Sequence, residues 1–281
     1  MTGTSSHPSP VELLSLARRV AVEAGERVAR MRADGVEVAA TKSSITDVVT
    51  AADQAAEQFA REAIAAERPD DGYYGEEGAR VDTQSGITWV VDPIDGTVNY
   101  LYGIPHYAVS VAAVIGDPTA EPASFETLAG AVANPVTGEV FTAARDEGAF
   151  LNDAPIACRV PGSMAEALVA TGFSYDASRR DKQARRWASM AGRMRDLRRL
   201  GAASLDLCFV AAGRLDGYFE SGLHPWDHAA GALIAREAGA RVGGADGSRE
   251  GSAMTIAAHP EFFVELAGVM HSGASSDEAY L

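Results

Sequence analysis

The sequence predicts a mixed α/β protein in two halves, an α+β lobe followed by an α/β lobe. Two helical patterns are followed by strand patterns that succeed one another from Thr88 to Leu151, separated by turn signals. Beyond Asn152, strand and helix patterns alternate. The chain has 281 residues, 47% of them hydrophobic, enough for a sizeable core.

Pro8–Arg32 carries Leu13, Leu14, Ala17, Val20, Ala21 and Ala24 at helical spacing, and Asp47–Ala66 reads as a second helix with Thr50 or Asp53 as its cap. Strands are predicted at Thr88–Val91, Tyr107–Ile115, Leu128–Asn134, Glu139–Ala144 and Ala149–Leu151. Asn134-Pro135, Thr137-Gly138 and Glu147-Gly148 mark turns among them. The second half reads as strand Ala167–Thr171, helix Ser178–Met194, strand Leu197–Leu200, helix Ala202–Ala212 and strand Tyr218–Glu220. A helix from Trp226 to about Ala238, strand Ala253–Ala257 and helix Pro260–Val269 complete it, with Gly243–Ser252 as a flexible loop. The lobes are placed at 10–151 and 152–270, with disordered tails at 1–9 and 271–281.

A formal net charge of -15 argues against nucleic acid or an anionic membrane as the main partner. It also makes the chain as a whole repel a phosphorylated substrate, so bound cations must reverse the sign locally. Met1–Pro10 lacks the basic and apolar regions of a secretory signal, and Tyr107–Ile115, the most apolar stretch, is far too short to span a bilayer. Cys158 and Cys208 read as reduced thiols of a cytoplasmic protein rather than as a disulfide or zinc site.

The run from Trp89 to Tyr100 (WVVDPIDGTVNY) is the most informative. A β-branched strand is expected to break at Pro93, which has no N–H, and to turn at Gly96. Asp92 and Asp95 flank the break as hard oxygen donors, and the amides of Asp95-Gly96-Thr97 can meet an anion. Carboxylates for a divalent metal beside amides for phosphate suit phosphoryl transfer. An ordinary strand followed by an Asp-Gly turn is the plain alternative. Three further segments favour the functional reading. Gly75-Glu76-Glu77-Gly78 puts paired acids at a loop or strand end; Asp227, at the head of an alanine-rich helix, is either a cap or a metal ligand; Lys42–Asp53 leads into a helix. His228 points about a third of a turn from Asp227 and reads as a surface or packing residue.

Lys42–Asp53, Gly75-Glu76-Glu77, Asp92–Asn99, Gly201-Ala202-Ala203, Asp216–Glu220 and Trp226–Gly231, taken in this order, resemble the inositol monophosphatase family of lithium-sensitive, magnesium-dependent phosphatases. The resemblance runs from about Leu13 to about Ala267. It implies a layered α-β-α-β-α sandwich with the active site between the lobes, two to three Mg²⁺ ions and a homodimer. It assigns the first Mg²⁺ to Glu76, Asp92 and the Ile94 carbonyl, and the second to Asp92, Asp95 and Asp227, with a third, weaker ion near Glu76. A water on metal near Glu76 attacks, Thr97 accepts or relays its proton, and Asp53 orients Thr97. The amides of Gly96 and Thr97 hold the phosphate.

On the substrate side, the resemblance assigns Glu220 to substrate hydroxyls, with Gly201, Ala202 and Ala203 lying against the polyol ring alongside Asp95 and Asp227. Nucleotide bisphosphate phosphatases tend to carry Lys-Glu, and histidinol-phosphate phosphatases a Lys or Arg, where this chain has Val98-Asn99; fructose bisphosphatases carry Gly-Ser in place of Gly96-Thr97. The expected activity is therefore Mg²⁺-dependent hydrolysis of myo-inositol 1-phosphate and related monophosphates. The alternatives are a histidinol-phosphate or other sugar-phosphate phosphatase, fructose 1,6-bisphosphate included, and a regulatory binding protein on a phosphatase scaffold.

Overall fold

A computed structural model describes residues 8–35, 38–41, 48–120 and 122–272. Part of the Lys42–Asp53 segment and most of both expected tails lie outside the described residues. Helix α1 (Pro10–Asp34) starts on a capping box in which the Ser9 amide donates to Glu12 and the Glu12 amide to Ser9 Oγ. Strands β1 (Val38–Thr41) and β2 (Val48–Thr50) pair as an antiparallel hairpin. The second helix, α2 (Ala51–Glu67), therefore begins later than expected. Val48-Val49-Thr50 is β-branched and extended, and Thr50 and Asp53 form the capping box that starts the helix.

The next strands are β3 (Gly72–Gly75), β4 (Arg80–Val81), β5 (Ile87–Asp95), β6 (Ala108–Asp117), β7 (Ser124–Asn134), β8 (Glu139–Ala144), β9 (Ala149–Leu151) and β10 (Ala154–Pro155), with the short helix α3 (Thr97–Tyr102) after β5. They form one eight-stranded sheet in the order β10-β9-β8-β7-β6-β5-β3-β4, antiparallel except where β3 meets β5. Strand β5 does not stop at Pro93 as expected. Asp92 pairs with Ser110 and Asp95 with Ala108, and the register shifts between them. The missing N–H of Pro93 is absorbed in that irregularity, where the ladder does not need it.

The second half contains β11 (Leu168–Thr171), α4 (Ala177–Ala191), β12 (Asp196–Arg198), α5 (Ala203–Ala211), β13 (Gly217–Glu220), α6 (Pro225–Glu237), β14 (Arg241–Gly243), β15 (Thr255–Ala258) and α7 (Pro260–Ser272). Its five-stranded sheet runs β12-β11-β13-β15-β14. Expected and observed elements agree in kind; β14 takes up the first residue of the predicted loop.

The core divides into three clusters that define the layers. The first joins the buried faces of α1 and α2 to one face of the large sheet through Leu13, Val20, Ile64, Trp89 and Val111. A second fills the space between the sheets with α5 and α6, using Val90, Val132, Leu205, Leu207, Leu233 and Ile234. The third packs α7 on the outer face of the small sheet through Val169, Ile256, Phe262 and Leu266. The result is the α-β-α-β-α sandwich. No residue of its central helices α5 and α6 is exposed, as expected of a helix pair covered on both sides by sheets. No helix among the described residues is long and apolar enough to cross a membrane.

Candidate active site

One cavity of about 430 Å³ opens where the end of β5, the head of α5, the end of β13 and the head of α6 converge. It is lined by Glu76, Asp92, Ile94, Asp95, Gly96, Thr97, Gly201, Ala202, Ala203, Glu220 and Asp227. Every site residue predicted from the sequence except Asp53 therefore faces this space, and Asp53 stands directly behind Thr97.

The irregular end of β5 sets the acidic floor. Asp92 Oδ1 accepts the Ile94 amide at 3.0 Å, which fixes the carboxylate over its own turn. Gly96 follows in the left-handed conformation at φ 92°, and a Cβ there would lie 3.1 Å from the carbonyl oxygens of Gly201 and His106. Only glycine fits. Thr97 Oγ1 lies 3.0 Å from the Ile94 carbonyl and 3.3 Å from Asp53 Oδ1. Both neighbours are acceptors, so the hydroxyl proton points to the protein and the oxygen keeps lone pairs for an incoming donor. Asp53 is itself fully buried and receives the Thr50 amide at 2.7 Å.

Asp95 does something the sequence did not announce. Its Oδ1 accepts the Ala203 amide at 3.2 Å, and its Oδ2 accepts the Ser204 amide at 2.7 Å and the Ser204 hydroxyl. Helix α5 begins at Ala202, which has no capping side chain, and a carboxylate from the other sheet takes that place. Asp227 accepts the His224 amide at 2.6 Å, so the capping role weighed for it is real. Glu57, which sequence reading passed over, shapes the loop carrying Glu76. Its carboxylate accepts the Glu77 amide at 2.8 Å and the Ala79 amide at 3.1 Å, and fills the space that any side chain at Gly75 would need. An acid one helical turn after Asp53, on the buried face of α2, was the signal available.

The electrostatics are those of an unneutralised acidic cluster. Burial pushes the Asp92 carboxyl well above the usual range, and Glu76, Asp95 and Asp227 push it further. Asp227 is raised by burial and then by Glu76 and Asp95. Asp95 stands at about 6: burial raises it and the bonds from Ser204 pull it back. Glu220, raised by burial to about 7, accepts the Tyr218 hydroxyl at 2.7 Å. None of Asp92, Asp95 and Asp227 is paired with a lysine or arginine among the described residues.

Among the described residues, no three His, Cys, Asp or Glu side chains already stand as a metal cage. Asp95 and Asp227 are each turned onto helix amides, which supply partial positive charge where a cation would supply a full one. The donor chemistry nonetheless fits hard divalent ions: carboxylates and one carbonyl, all oxygen, mutually repelling and without organic counter-ions. His228 is not part of the set. It is buried and stacks on Phe125, with ring centroids 6.0 Å apart, so of its two expected places it takes packing. Cys208 is buried and Cys158 half-buried, and both are free.

A layered sandwich with an acid-floored cavity between its sheets defines a class of phosphatase. The sequence profile of the inositol monophosphatase family matches residues 9–278, and the chain belongs to that family. It is a phosphatase enzyme, and the family is generally metal-dependent. The inositol-1-monophosphatase SuhB of Mycobacterium tuberculosis is 44% identical over 251 residues, which cover 83% of this chain and 84% of that protein. The Nus factor SuhB of Vibrio cholerae is 37% identical over 246 residues, covering 85% and 89%. Among solved structures, Mycobacterium tuberculosis SuhB superposes with a TM-score of 0.80 at 40% identity, covering 96% of this chain and 100% of that one.

Proposed function

We propose that the chain hydrolyses inositol monophosphates, myo-inositol 1-phosphate foremost among monoesters, with Mg²⁺ bound by Glu76, Asp92, Asp95, Asp227 and the Ile94 carbonyl. The observation that carries this reading is that Glu220 and the Gly201–Ala203 backbone share one cavity with the acidic floor. A phosphate held at the floor thus places its alcohol against a carboxylate and small side chains. The bound ions would supply Lewis-acid polarisation of the phosphate and a more acidic water.

The chain's own residues do the rest. Thr97 Oγ1 accepts a proton from the attacking water while its own hydroxyl proton is directed towards Asp53 Oδ1. Water oxygen bonds to phosphorus, the phosphorus–ester oxygen bond breaks, and the released alkoxide takes up a proton to become the alcohol. The Gly96 and Thr97 amides, at the head of α3, orient the phosphate oxygens. Glu220 accepts hydrogen bonds from ring hydroxyls and takes no part at phosphorus. The names of the mycobacterial relatives support the same substrate.

Phosphate release is measured across myo-inositol 1-phosphate, histidinol phosphate, fructose 1,6-bisphosphate and adenosine phosphates, with Mg²⁺ and with excess chelator. Inositol 1-phosphate is expected to be the best monoester, to require Mg²⁺ and to be inhibited by Li⁺. Full turnover in chelator, or a clear preference for histidinol phosphate, overturns the assignment.

A further inference from the structure

The wall of the cavity away from the acidic floor carries two arginines for which the hydrolysis above has no use. Arg179 lies in the first turn of α4 and Arg199 follows β12, and both line the cavity beside Phe173 and Tyr175. Neither guanidinium makes a hydrogen bond or ion pair with any described residue. Elsewhere, arginine is regularly matched to acid: Arg68 to Asp71, Arg159 to Asp216, Arg214 to Glu139 and Arg236 to Glu250. Even Arg198, the chain neighbour of Arg199, is bonded to Asp196 at 2.6 Å.

Both unmatched groups sit at the substrate's alcohol end. Arg199 Nη1 lies over Gly201, in the space a side chain there would occupy. Arg179 Nη1 is 3.9 Å from where a Cβ of Gly222 would stand, two residues after Glu220. The nearby acids are already engaged: Asp176 accepts from Ser178 and from the Arg179 amide, and Glu220 from Tyr218. Arg199 acts on Glu220 and Asp206 through its charge but is bonded to neither. Two planar forks without a bonded partner, lining one cavity on a chain of net charge -15, are set to receive an anion brought by the ligand.

We propose that Arg179 and Arg199 form an anion subsite for a second phosphate on the polyol, so that the cavity holds an inositol bisphosphate more tightly than the monophosphate. This rests on the reading that the scissile phosphate sits on the acidic floor. A cavity of about 430 Å³ has room for the ring and both groups. Because both arginines are exposed, the preference shrinks as salt is added.

The test compares myo-inositol 1,4-bisphosphate with myo-inositol 1-phosphate in two ways. Calorimetric binding with Mg²⁺ uses a Thr97→Ala chain, in which turnover is stopped, and KM is measured on the otherwise native chain. The bisphosphate is expected to bind roughly tenfold more tightly, and Arg179→Gln with Arg199→Gln to bring that ratio close to one. A ratio near one before substitution, or one that survives it, overturns the subsite. Equal losses on both compounds also overturn it and make Arg199 a counter-ion to Glu220. If neither compound releases phosphate, the proposed hydrolysis fails, while the binding ratio still decides the subsite.

Discussion

Asp71 and Asp92 are both buried carboxylates close to the large sheet, and their surroundings are opposite. Asp71 receives Arg68 through two nitrogens at 2.8 and 3.0 Å, the Ser85 hydroxyl at 2.6 Å and the Trp89 indole at 2.9 Å. Burial pushes its carboxyl up, but these partners together outweigh burial and hold it below the usual range. Asp92 is at least as deeply buried, accepts the amide of its own turn, and faces three other acids. Burying a charge costs free energy unless it is paired. Asp71 is paired within the fold, and that makes it structural. Asp92 is left to be paired from outside, and a phosphatase that needs cations has a reason to leave it so.

The sharpest way to break this contrast is to remove each charge while keeping the shape. Asp92→Asn should lower phosphate release on the order of a thousandfold, since charge stabilisation at the reacting phosphate is lost. The variant should melt no lower than the parent in the absence of metal. Asp71→Asn should do the reverse, retaining most activity while losing about 3 kcal/mol of stability in denaturant titration. If Asp92→Asn unfolds the chain, or Asp71→Asn abolishes turnover of a well-folded chain, the division into structural and catalytic acids is wrong.

Glu220 sharpens the contrast within the cavity itself. Glu220→Gln should reduce kcat/KM on inositol 1-phosphate by about ten- to a hundredfold, corresponding to a lost hydrogen bond to a charged group. A small phosphate ester without ring hydroxyls should be affected much less. Equal losses on both would move Glu220 from the alcohol end to the reacting end.

Stability against pH separates the two kinds of acid again, with a smaller effect. Asp95 at about 6 and Glu220 at about 7 are raised, so the metal-free folded chain holds protons that the unfolded chain has released. Their contribution is complete below their ordinary pKa values and is lost as pH rises through 6 and 7. Asp71 is lowered, so its contribution is present above the ordinary aspartate pKa and is lost on acidification below it. The buried imidazoles of His106 and His228, lowered to about 4, work the other way, because the unfolded chain takes up their protons below their ordinary pKa. The acids are therefore read by difference: between pH 5.5 and pH 8 the metal-free parent should lose more melting temperature, or gain less, than metal-free Glu220→Gln, and equal changes in the two chains contradict the raised Glu220.

What the sequence made legible follows from how local the signals were. The Trp89–Tyr100 run holds its turn, ligands and strand within a dozen residues, and the helix heads at Thr50 and Pro225 carry their own capping chemistry. Hidden features depend on partners far along the chain. Asp95 caps α5 more than a hundred residues away, because Ala202 lacks a capping side chain. Glu57 supports the Glu76 loop across the α2–β3 connection, and the place of Arg179 and Arg199 on the cavity wall depends on β12 and α4 being brought close to β13 by the fold. The hairpin of β1 and β2 was missed because a three-residue strand next to a cap reads as the start of a helix. Pro93 was over-read as a break because an irregular ladder can accommodate a missing N–H.

The central claim is that the fold gives the Asp92, Asp95 and Asp227 carboxylates no positively charged side chain and leaves that charge to cations. The most direct measurement is the melting temperature of the chain at pH 8 as Mg²⁺ is titrated in. A rise that continues with the logarithm of Mg²⁺ concentration is expected, about 2.7 kcal/mol of stabilisation at a hundred times the dissociation constant, and it should be absent in Asp92→Asn. A melting temperature that does not respond to millimolar Mg²⁺, or an Asp92→Asn chain that responds just as the parent does, would contradict the account.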